Sequence, residues 1–472
     1  MLRLDINSLR QAYISGDVTP LQVVEEIYDR IEAHGEDGVW ISVVPRESAL
    51  QRARDLAALD EPARKKLPLF GLPFSVKDCI DVADMPTTAG CPEFAYTAKK
   101  TNLAVARALD AGAILVGKAN LDQFATGLVG VRTPYGVAEN PFNSDLIPGG
   151  SSSGAAVSVA VGLVSFAFGT DTGGSGRIPA GFNNIVGLKP TLGLLSRTDM
   201  VNACRTLDTV SIFALTAPDA LEILNICTAM DPDDPYGRTP PDARLPTYRD
   251  HAPFTFAVPQ KDQWEFFGNE EAAALYKEAI CELTRMGGKE IAIDYGPFVE
   301  VNDFMFNGPW LAERLVSVSP FIHEKPDALH PVSREIILGA GKYSAGDLVK
   351  GLYRLKELHN HISGLLDGVD VMVVPTAGTI YRVREVEADP ITLNANMGYY
   401  TNFVNFLDLA AIAVPNGFLS NGSAMGITLI GPAFSDSYLA GLGGAFHGRR
   451  VDRLGATDSP IPEPMERELA AH

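Results

Sequence analysis

The glycine-rich stretch "GTDTGGSGR" at residues 169–177 holds a serine in a setting that suits nucleophilic chemistry. Glycines let a loop bring consecutive backbone N–H groups close to one point, and such a group of donors binds anions. If the N–H groups of Thr172, Gly173, Gly174 and Ser175 converge, they would stabilise the oxyanion formed when the Ser175 hydroxyl attacks a carbonyl carbon. The stretch therefore predicts a nucleophile and its oxyanion hole in one loop.

A serine hydroxyl is a weak nucleophile until a base takes its proton. The histidines all lie outside the glycine-rich region, although folding could still bring one in: His34, His251, His323, His330, His359, His361, His447 and His472. The alternative base is Lys77 in "SVKD" (75–78), which follows an apolar run and is expected at the end of a buried strand. Because burial lowers the pKa of a lysine, a desolvated Lys77 can be neutral.

A third segment, "PGGSSSGAA" (148–156), supplies a serine that could carry a proton between Ser175 and Lys77. This serine is Ser151. Taken alone, such a loop is more often a turn or a phosphate cradle, but a phosphate site would need a lysine directly after the glycines, and none is present. Taken alone, Lys77 would be interpreted as a surface or salt-bridged lysine. The three segments together favour catalysis.

These segments, in this order, resemble the amidase signature family over about residues 5–450. The resemblance implies a Ser-cisSer-Lys triad, with Ser175 as nucleophile, Ser151 as the bridging serine after a cis peptide bond, and Lys77 as base. It also implies an α/β fold with a central mixed β-sheet covered by helices on both faces. The implied activity is hydrolysis of a C–N bond next to a carbonyl, without a cofactor or a metal.

Within that family, four segments look most like allophanate hydrolase, which cleaves the terminal amide of carboxylated urea: "DQFATGLVG", "FNNIVGLKPT", "GPWLAER" and "YYTNFVNFLDLAAIAVP". By that resemblance Arg314 of "GPWLAER" would hold the substrate carboxylate, for which a planar guanidinium is suited. Gly127 of "DQFATGLVG" would contact the substrate as well. The resemblance thus implies a small ureido substrate and release of ammonia.

Four nearby positions depart from the allophanate hydrolase pattern. Cys79 stands where asparagine is usual, Asn202 replaces a proline, and Phe306 and Asn307 replace tyrosine and glutamate. Cys79, Asn202 and Phe306 are therefore further candidates for substrate contact, with packing as the alternative for Cys79 and Phe306. Phenylalanine cannot hydrogen-bond to a carboxylate, so the change at Phe306 favours a less anionic or larger substrate.

Asp171 and Arg177 flank the nucleophile, and two roles stay open for them. They are candidates for substrate contact, but the arrangement favours a structural pair that braces the loop.

Alternatives also remain for the function. A urethanase, which hydrolyses carbamates, or an amidase of broader specificity is the second candidate. An amidotransferase A-type subunit, which works in a complex and feeds ammonia to a tRNA-bound substrate, is a further one. A catalytically inactive binding protein with the same fold is the last.

The elements that must position these residues are visible in the apolar pattern. In "TPLQVVEEIYDRIEAHG" Thr19 can cap a helix, Pro20 takes its first position and Gln22 closes a capping box. From residue 71 onward, short apolar runs alternate with helical patterns, which favours helices on both faces of a buried sheet. The runs predicted as strands include "LPFSVKD", "VSFAFGTD", "FTFAVP" and "VMVVPT", and helices are expected near 269–286 and 345–366. We expect an N-terminal helical region at 1–65 packed on the core, one amidase signature domain at 66–455 and a tail at 456–472.

Composition limits the partners. The chain has 472 residues, with 39 Lys and Arg against 58 Asp and Glu, and its net charge of -19 disfavours nucleic acid and anionic lipid. Five scattered cysteines without a CxxC pair indicate neither a disulfide framework nor a zinc site. No signal peptide or membrane span is visible, so we expect a cytoplasmic enzyme for a small amide, ureido or carbamate substrate. The family resemblance allows for a homodimer.

Overall fold

In the computed structural model, described for residues 2–241, 247–250 and 252–462, thirteen strands are found. In chain order they are β1 (Trp40–Val43), β2 (Pro73–Lys77), β3 (Pro86–Thr87), β4 (Tyr96–Thr97), β5 (Ile114–Ala119), β6 (Phe166–Asp171), β7 (Val186–Lys189), β8 (Thr209–Ala214), β9 (Phe254–Pro259), β10 (Gly288–Ile293), β11 (Val371–Pro375), β12 (Leu409–Phe418) and β13 (Ala424–Pro432).

Eleven of these strands form one mixed sheet in the order β1-β5-β2-β6-β8-β7-β12-β13-β11-β9-β10, and β3 and β4 form a separate pair. Strands β5, β2 and β6 are parallel neighbours, whereas β8, β7, β12 and β13 pair antiparallel. Every residue of β2, β6, β7, β8 and β11 is buried, as expected when helices cover both faces of a sheet. The predicted α/β fold with a central mixed sheet is confirmed.

Eighteen α-helices surround the sheet in the described ranges. In chain order they are α1 (Ile6–Ser15), α2 (Pro20–His34), α3 (Arg46–Ala57), α4 (Glu61–Arg64), α5 (Leu103–Asp110), α6 (Ser153–Ala160), α7 (Ile178–Phe182), α8 (Ala217–Cys227), α9 (Glu270–Arg285), α10 (Gly296–Asn307), α11 (Leu311–Val318), α12 (Phe321–Glu324), α13 (Pro331–Leu338), α14 (Ala345–Leu365), α15 (Val383–Ala388), α16 (Thr392–Met397), α17 (Phe403–Phe406) and α18 (Asp436–Arg450). Among the described residues, no helix is long and apolar enough to cross a bilayer.

The N-terminal region begins as predicted and then adds a strand. Helix α2 has Thr19 as its cap, Pro20 in its first turn and a capping box closed by Gln22, so this prediction is confirmed. The region up to residue 65 is not wholly helical, because β1 pairs antiparallel with β5 and forms one edge of the main sheet. The boundary at residue 65 stays a prediction. The tail is described as far as residue 462, and the rest of it, like His251 and His472, lies outside the described residues.

Two clusters of buried apolar side chains hold the site elements. The larger contains residues of the parallel strands, including Phe74, Val76, Phe166 and Phe168. The second packs α10, α14 and α17 against the sheet, and its aromatic residues include Phe298, Trp310, Phe403 and Phe406. Because parallel strands end at the same edge of a sheet, β2 and β6 bring Lys77 and Asp171 to one edge. Helix α11 starts directly after Trp310, which is buried in the second cluster.

Candidate active site

Lys77 is the last residue of β2 and is completely buried. Its Nζ donates to Ser151 Oγ at 2.7 Å and to Thr170 Oγ1 at 2.7 Å. Burial lowers the pKa of Lys77, and the thiol of Cys79 and nearby carboxylates, those of Asp122 and Asp171 among them, oppose this shift. The amine is therefore set between two hydroxyl groups, in surroundings that favour its neutral form.

Ser151 lies in the loop between Gly149 and α6, and the Gly150–Ser151 peptide bond is cis. Its hydroxyl accepts the hydrogen bond from Lys77, and its carbonyl accepts one from the backbone N–H of Asp122 at 3.0 Å. A Cβ on Gly150 would lie 2.1 Å from Asp122 Oδ2, so only glycine fits there. The glycines of "PGGSSSG" thus allow the close approach that fixes Ser151 next to Lys77.

Ser175 lies in the loop that follows β6, and it is 2 % exposed. Thr170 links this loop to the other two segments, because its hydroxyl accepts from Lys77 and its carbonyl accepts from Ser152 Oγ at 3.1 Å. Within the described ranges, Ser175 Oγ makes no hydrogen bond, and none joins it to Ser151. The geometry brings Lys77 and Ser151 together. Their roles as base and bridging serine, and the step from Ser151 to Ser175, stay predictions.

The carboxylate of Asp171 shapes the loop of Ser175. Oδ1 accepts from the N–H of Gly174 at 2.8 Å and from Arg177 Nη2 at 2.9 Å, and Oδ2 accepts from the N–H of Gly176 at 3.0 Å and from Arg177 Nε at 2.8 Å. Burial alone would raise the pKa of Asp171, but the charge and hydrogen bonds of Arg177 lower it below its ordinary value. Both side chains are fully buried.

This arrangement decides between the two roles that the sequence left open for the pair. Both carboxylate oxygens of Asp171 are used within the loop. The remaining Nη1 of Arg177 donates to the carbonyl of Thr401 at 3.2 Å. The expectation of a direct substrate contact for Asp171 and Arg177 is therefore corrected: they brace the loop.

The predicted oxyanion hole also needs a correction. The N–H of Gly174 is already donated to Asp171, so it is not free for a substrate oxygen. In the described part of the chain, the N–H groups of Thr172, Gly173 and Ser175 donate to no protein acceptor. These three can serve as oxyanion donors. The hydroxyl of Thr172 is fixed by a 2.5 Å hydrogen bond to Asp208.

Arg314 lies on α11 and is 3 % exposed. Its Nη1 donates to the carbonyl of Ala125 at 3.2 Å and to Thr126 Oγ1 at 3.3 Å, and its Cζ lies 5.3 Å from the centre of the Phe306 ring. Its Nε is buried without a hydrogen-bond partner, and no carboxylate forms an ion pair with it among the described residues. Burial raises the pKa of the Asp208 carboxylate and the charge of Arg314 opposes this shift, but the two groups form no ion pair. A buried guanidinium without an ion-pair partner is suited to bind an anion.

Arg314 and Gly127 both lie close to the loops that carry Ser151 and Ser175. Nη2 of Arg314 is 3.8 Å from Met305 Sδ, and the methyl group of Met305 packs against Gly173, where an added Cβ would lie 3.0 Å from it. Gly127 follows Thr126 in the loop that Arg314 contacts, and a Cβ there would lie 2.7 Å from Asp122 Oδ2. The structure thus brings Arg314, Phe306 and Gly127 to the serine loops.

Cys79 and Asn202 are the two remaining candidates for substrate contact. Cys79 is 1 % exposed and lies beside Lys77 and Thr170, and burial raises the pKa of its thiol. The Nδ2 of Asn202 donates to the carbonyls of Arg197 and Met200, both at 3.3 Å, and its Oδ1 is buried without a partner. A substrate contact by either residue stays a prediction.

Sequence reasoning missed several residues that hold the site together. Thr170 accepts a hydrogen bond from Lys77, Asp208 fixes Thr172, and Thr401 Oγ1 donates to the carbonyl of Gly173 at 2.7 Å. Asn405 Nδ2 donates to the carbonyl of Asp171 at 2.9 Å. Their signal in the sequence is faint: Thr170 lies inside the glycine-rich motif, and Thr401 and Asn405 lie in "YYTNFVNF", a segment that indicates only a family resemblance.

Other catalytic groups are not found beside these serines in the described ranges. None of the histidines there hydrogen-bonds to Ser151 or Ser175. No group of three or more metal-ligating side chains lies together among the described residues. The structure brings Lys77 and Ser151 together beside the braced loop of Ser175, and their predicted catalytic roles stay predictions.

The chain belongs to the amidase family. The family model described as "Amidase" matches residues 22–439. The chain is similar to "Urea amidolyase" of Saccharomyces cerevisiae, with 42% identity over 425 residues, covering 89% of this chain and 23% of that protein. It is also similar to the A subunit of the glutamyl-tRNA(Gln) amidotransferase of Acidobacterium capsulatum, with 31% identity, covering 92% of this chain and 97% of that protein.

A solved structure agrees with these relatives. The chain superimposes on Kluyveromyces lactis allophanate hydrolase with a TM-score of 0.91 and 37% identity, covering 98% of this chain and 76% of that one. The chain spans about a quarter of the length of the urea amidolyases that it matches. The family and the site define an amidohydrolase that acts on C–N bonds other than peptide bonds.

Proposed function

We propose that this amidase hydrolyses the terminal amide of a small carboxylated ureido compound, allophanate, and releases ammonia. The observation that carries the proposal is Arg314, a buried guanidinium that contacts Met305 next to Gly173 and has no carboxylate partner in the described residues. A substrate carboxylate would form the ion pair that Arg314 lacks. The similarity to urea amidolyase and to allophanate hydrolase supports the same substrate class.

The reaction follows from the positions of the polar groups. Neutral Lys77 takes a proton from the hydroxyl of Ser151, and Ser151 takes the proton of the Ser175 hydroxyl. At the same time Ser175 Oγ attacks the carbamoyl carbon. The N–H groups of Thr172, Gly173 and Ser175 stabilise the oxyanion. The C–N bond breaks, the proton returns along the same relay to the leaving nitrogen, and ammonia leaves. A water molecule then hydrolyses the acyl group on Ser175 by the same steps.

A carbamate hydrolase is the second candidate, and Phe306 is the observation that favours it. The ring lies against the Arg314 guanidinium and offers no hydrogen bond to a carboxylate. A Phe306→Tyr variant separates the two possibilities. If the pocket takes a carboxylate, the new hydroxyl should raise activity on allophanate about fivefold and leave activity on a neutral carbamate unchanged. A wild-type enzyme that hydrolyses the neutral carbamate faster than allophanate would favour the urethanase.

An amidotransferase component is the third candidate, supported by the 31% identical relative that the chain matches over most of its length. A subunit of this kind depends on its complex, so the purified chain should be inactive alone. The segment "GPWLAER", which contains Arg314, favours an enzyme that works alone. Ammonia release by the isolated chain distinguishes the two.

One experiment tests the proposal. Ammonia or amine release is measured for allophanate, biuret, simple amides and small carbamates, in the wild-type enzyme and in Arg314→Gln. Biuret is the informative comparison because it has a neutral amide where allophanate has a carboxylate. We expect preference for allophanate over biuret, lost in Arg314→Gln. Equal turnover of both by the wild-type enzyme would contradict the proposed substrate.

A further inference from the structure

A second buried arginine holds the same stretch of backbone as Arg314. Arg132 is 1 % exposed, and its Nη1 donates to the carbonyl of Thr126 at 2.8 Å while its Nη2 donates to the carbonyl of Pro390 at 2.6 Å. Arg314 binds the carbonyl of Ala125 and the hydroxyl of Thr126. Two guanidinium groups therefore meet at one dipeptide.

Arg132, like Arg314, has no ion-pair partner within the described ranges. The acid nearby is Asp122, whose carboxylate accepts from the backbone N–H groups of Val129 at 3.2 Å, Gly130 at 2.9 Å and Arg132 at 2.9 Å. The Nε atoms of both arginines are buried without a partner. Burial lowers the pKa of Arg132; Asp122 raises it and the charge of Arg314 lowers it, so the two guanidinium groups repel each other.

The backbone that the two arginines hold is strained and lies at the site. Phe124 and Ala125 have φ of 53° and 51°, a conformation that is unfavourable for residues other than glycine and persists where the surroundings enforce it. Gly127 follows two residues later. On the other side, Arg314 contacts Met305, which packs against Gly173 of the nucleophile loop. Both guanidinium groups thus lie at the Ala125–Thr126 segment, and Arg314 connects this segment to the loop of Ser175.

We propose that Arg132 is a positioning residue that makes this side of the site more positive than Arg314 and the nearby carboxylate of Asp122 would make it, and so selects substrates that carry a carboxylate beside the scissile amide. The inference rests on the anionic substrate of the proposed function. Arg314 is the residue that contacts the carboxylate. Arg132 acts through Thr126, which it holds against Arg314, and through its own charge, which no described acid neutralises by an ion pair.

The experiment measures binding, so that it does not depend on turnover. Malonamate and malonamide have the same shape, and they differ by a carboxylate in place of an amide. Their dissociation constants are measured by calorimetry on the full chain carrying Ser175→Ala, with and without Arg132→Gln or Arg132→Lys. We expect Arg132→Gln to weaken malonamate binding tenfold or more and to change malonamide binding less than twofold.

A matched control and a conservative variant separate charge from structure. Arg30 donates to the backbone carbonyls of Gly162 and Leu2 and forms an ion pair with Glu26. It bonds to none of the residues of the candidate site, so Arg30→Gln removes comparable bonds and should change neither constant. Arg132→Lys keeps the charge and should keep most of the preference for malonamate. This variant can be measured even if Arg132→Gln does not fold. Equal weakening of both ligands, or loss of the preference in Arg132→Lys, would overturn the inference.

The two proposals can fail separately. If the wild-type enzyme releases no ammonia from allophanate but Ser175→Ala still prefers malonamate, and Arg132→Gln removes that preference, then the proposed reaction is wrong and the role of Arg132 stands. If allophanate is hydrolysed and Arg132→Gln changes neither dissociation constant, the proposed reaction stands and the role of Arg132 is wrong.

Discussion

The pair of Asp171 and Arg177 gives the sharpest prediction about the nucleophile loop. In Asp171→Asn the shape is kept, but one oxygen becomes an NH₂ group. In the wild-type protein each carboxylate oxygen of Asp171 accepts one backbone N–H and one guanidinium N–H. In either orientation of the new amide, its NH₂ group therefore faces two N–H donors. Arg177 is also left as a buried, uncompensated charge. Breaking a buried ion pair from one side costs about 3–5 kcal/mol.

The assay is the free energy of unfolding in urea together with kcat for ammonia release. We expect a loss of about 3–5 kcal/mol in stability and a fall in kcat of at least a hundredfold, since the donors at Thr172, Gly173 and Ser175 lose their support. Asp5→Asn is the control, because Asp5 is a buried acid of the N-terminal region that caps α1. It should lower stability and leave kcat unchanged. Wild-type kcat in a folded Asp171→Asn variant would refute the reasoning.

Three further predictions concern single groups. Because the proposed base must be neutral and burial lowers the pKa of Lys77, kcat/KM should fall as the pH is lowered through that pKa and level off above it; a pH-rate profile without this fall would contradict the assignment. Burial lowers the pKa of His447 from 6.5 to about 4, so stability should fall between pH 6.5 and pH 4, by about 3 kcal/mol in all, as the unfolded state takes up the proton first. Urea unfolding at several pH values checks this, and His447→Leu should remove that part of the slope. Gly127→Ala should lower kcat/KM at least tenfold, because the added Cβ would lie 2.7 Å from Asp122 Oδ2 and the loop must move; unchanged kinetics would show that the loop does not shape the site.

Much of the sheet could be predicted because buried strands appear as short apolar runs. The runs "LPFSVKD", "VSFAFGTD", "FTFAVP" and "VMVVPT" became β2, β6, β9 and β11. The helices expected near 269–286 and 345–366 became α9 and α14. Strand β1 was not predicted, because its four residues are too short to show alternation and lie in a region rich in helical patterns.

The site was predicted where motifs are local and missed where the fold brings distant residues together. Lys77 and Ser151 are separated by 74 positions, but each sits in its own recognisable segment. The error at Gly174 arose because glycines alone do not reveal which N–H groups a neighbouring carboxylate will take. Asp208 and Arg132 carried no motif, and their contacts depend on the packing of distant loops.

The central claim is that buried Lys77 activates Ser175 through Ser151, and the rate of covalent labelling tests it without knowledge of the substrate. The purified chain is treated with a fluorophosphonate, and the modified residue and its rate are read by mass spectrometry. We predict rapid modification of Ser175, no modification in Ser175→Ala, and modification at least a hundredfold slower in Lys77→Ala and in Ser151→Ala. Labelling at another residue, or undiminished labelling of Ser175 without the lysine, would contradict the account.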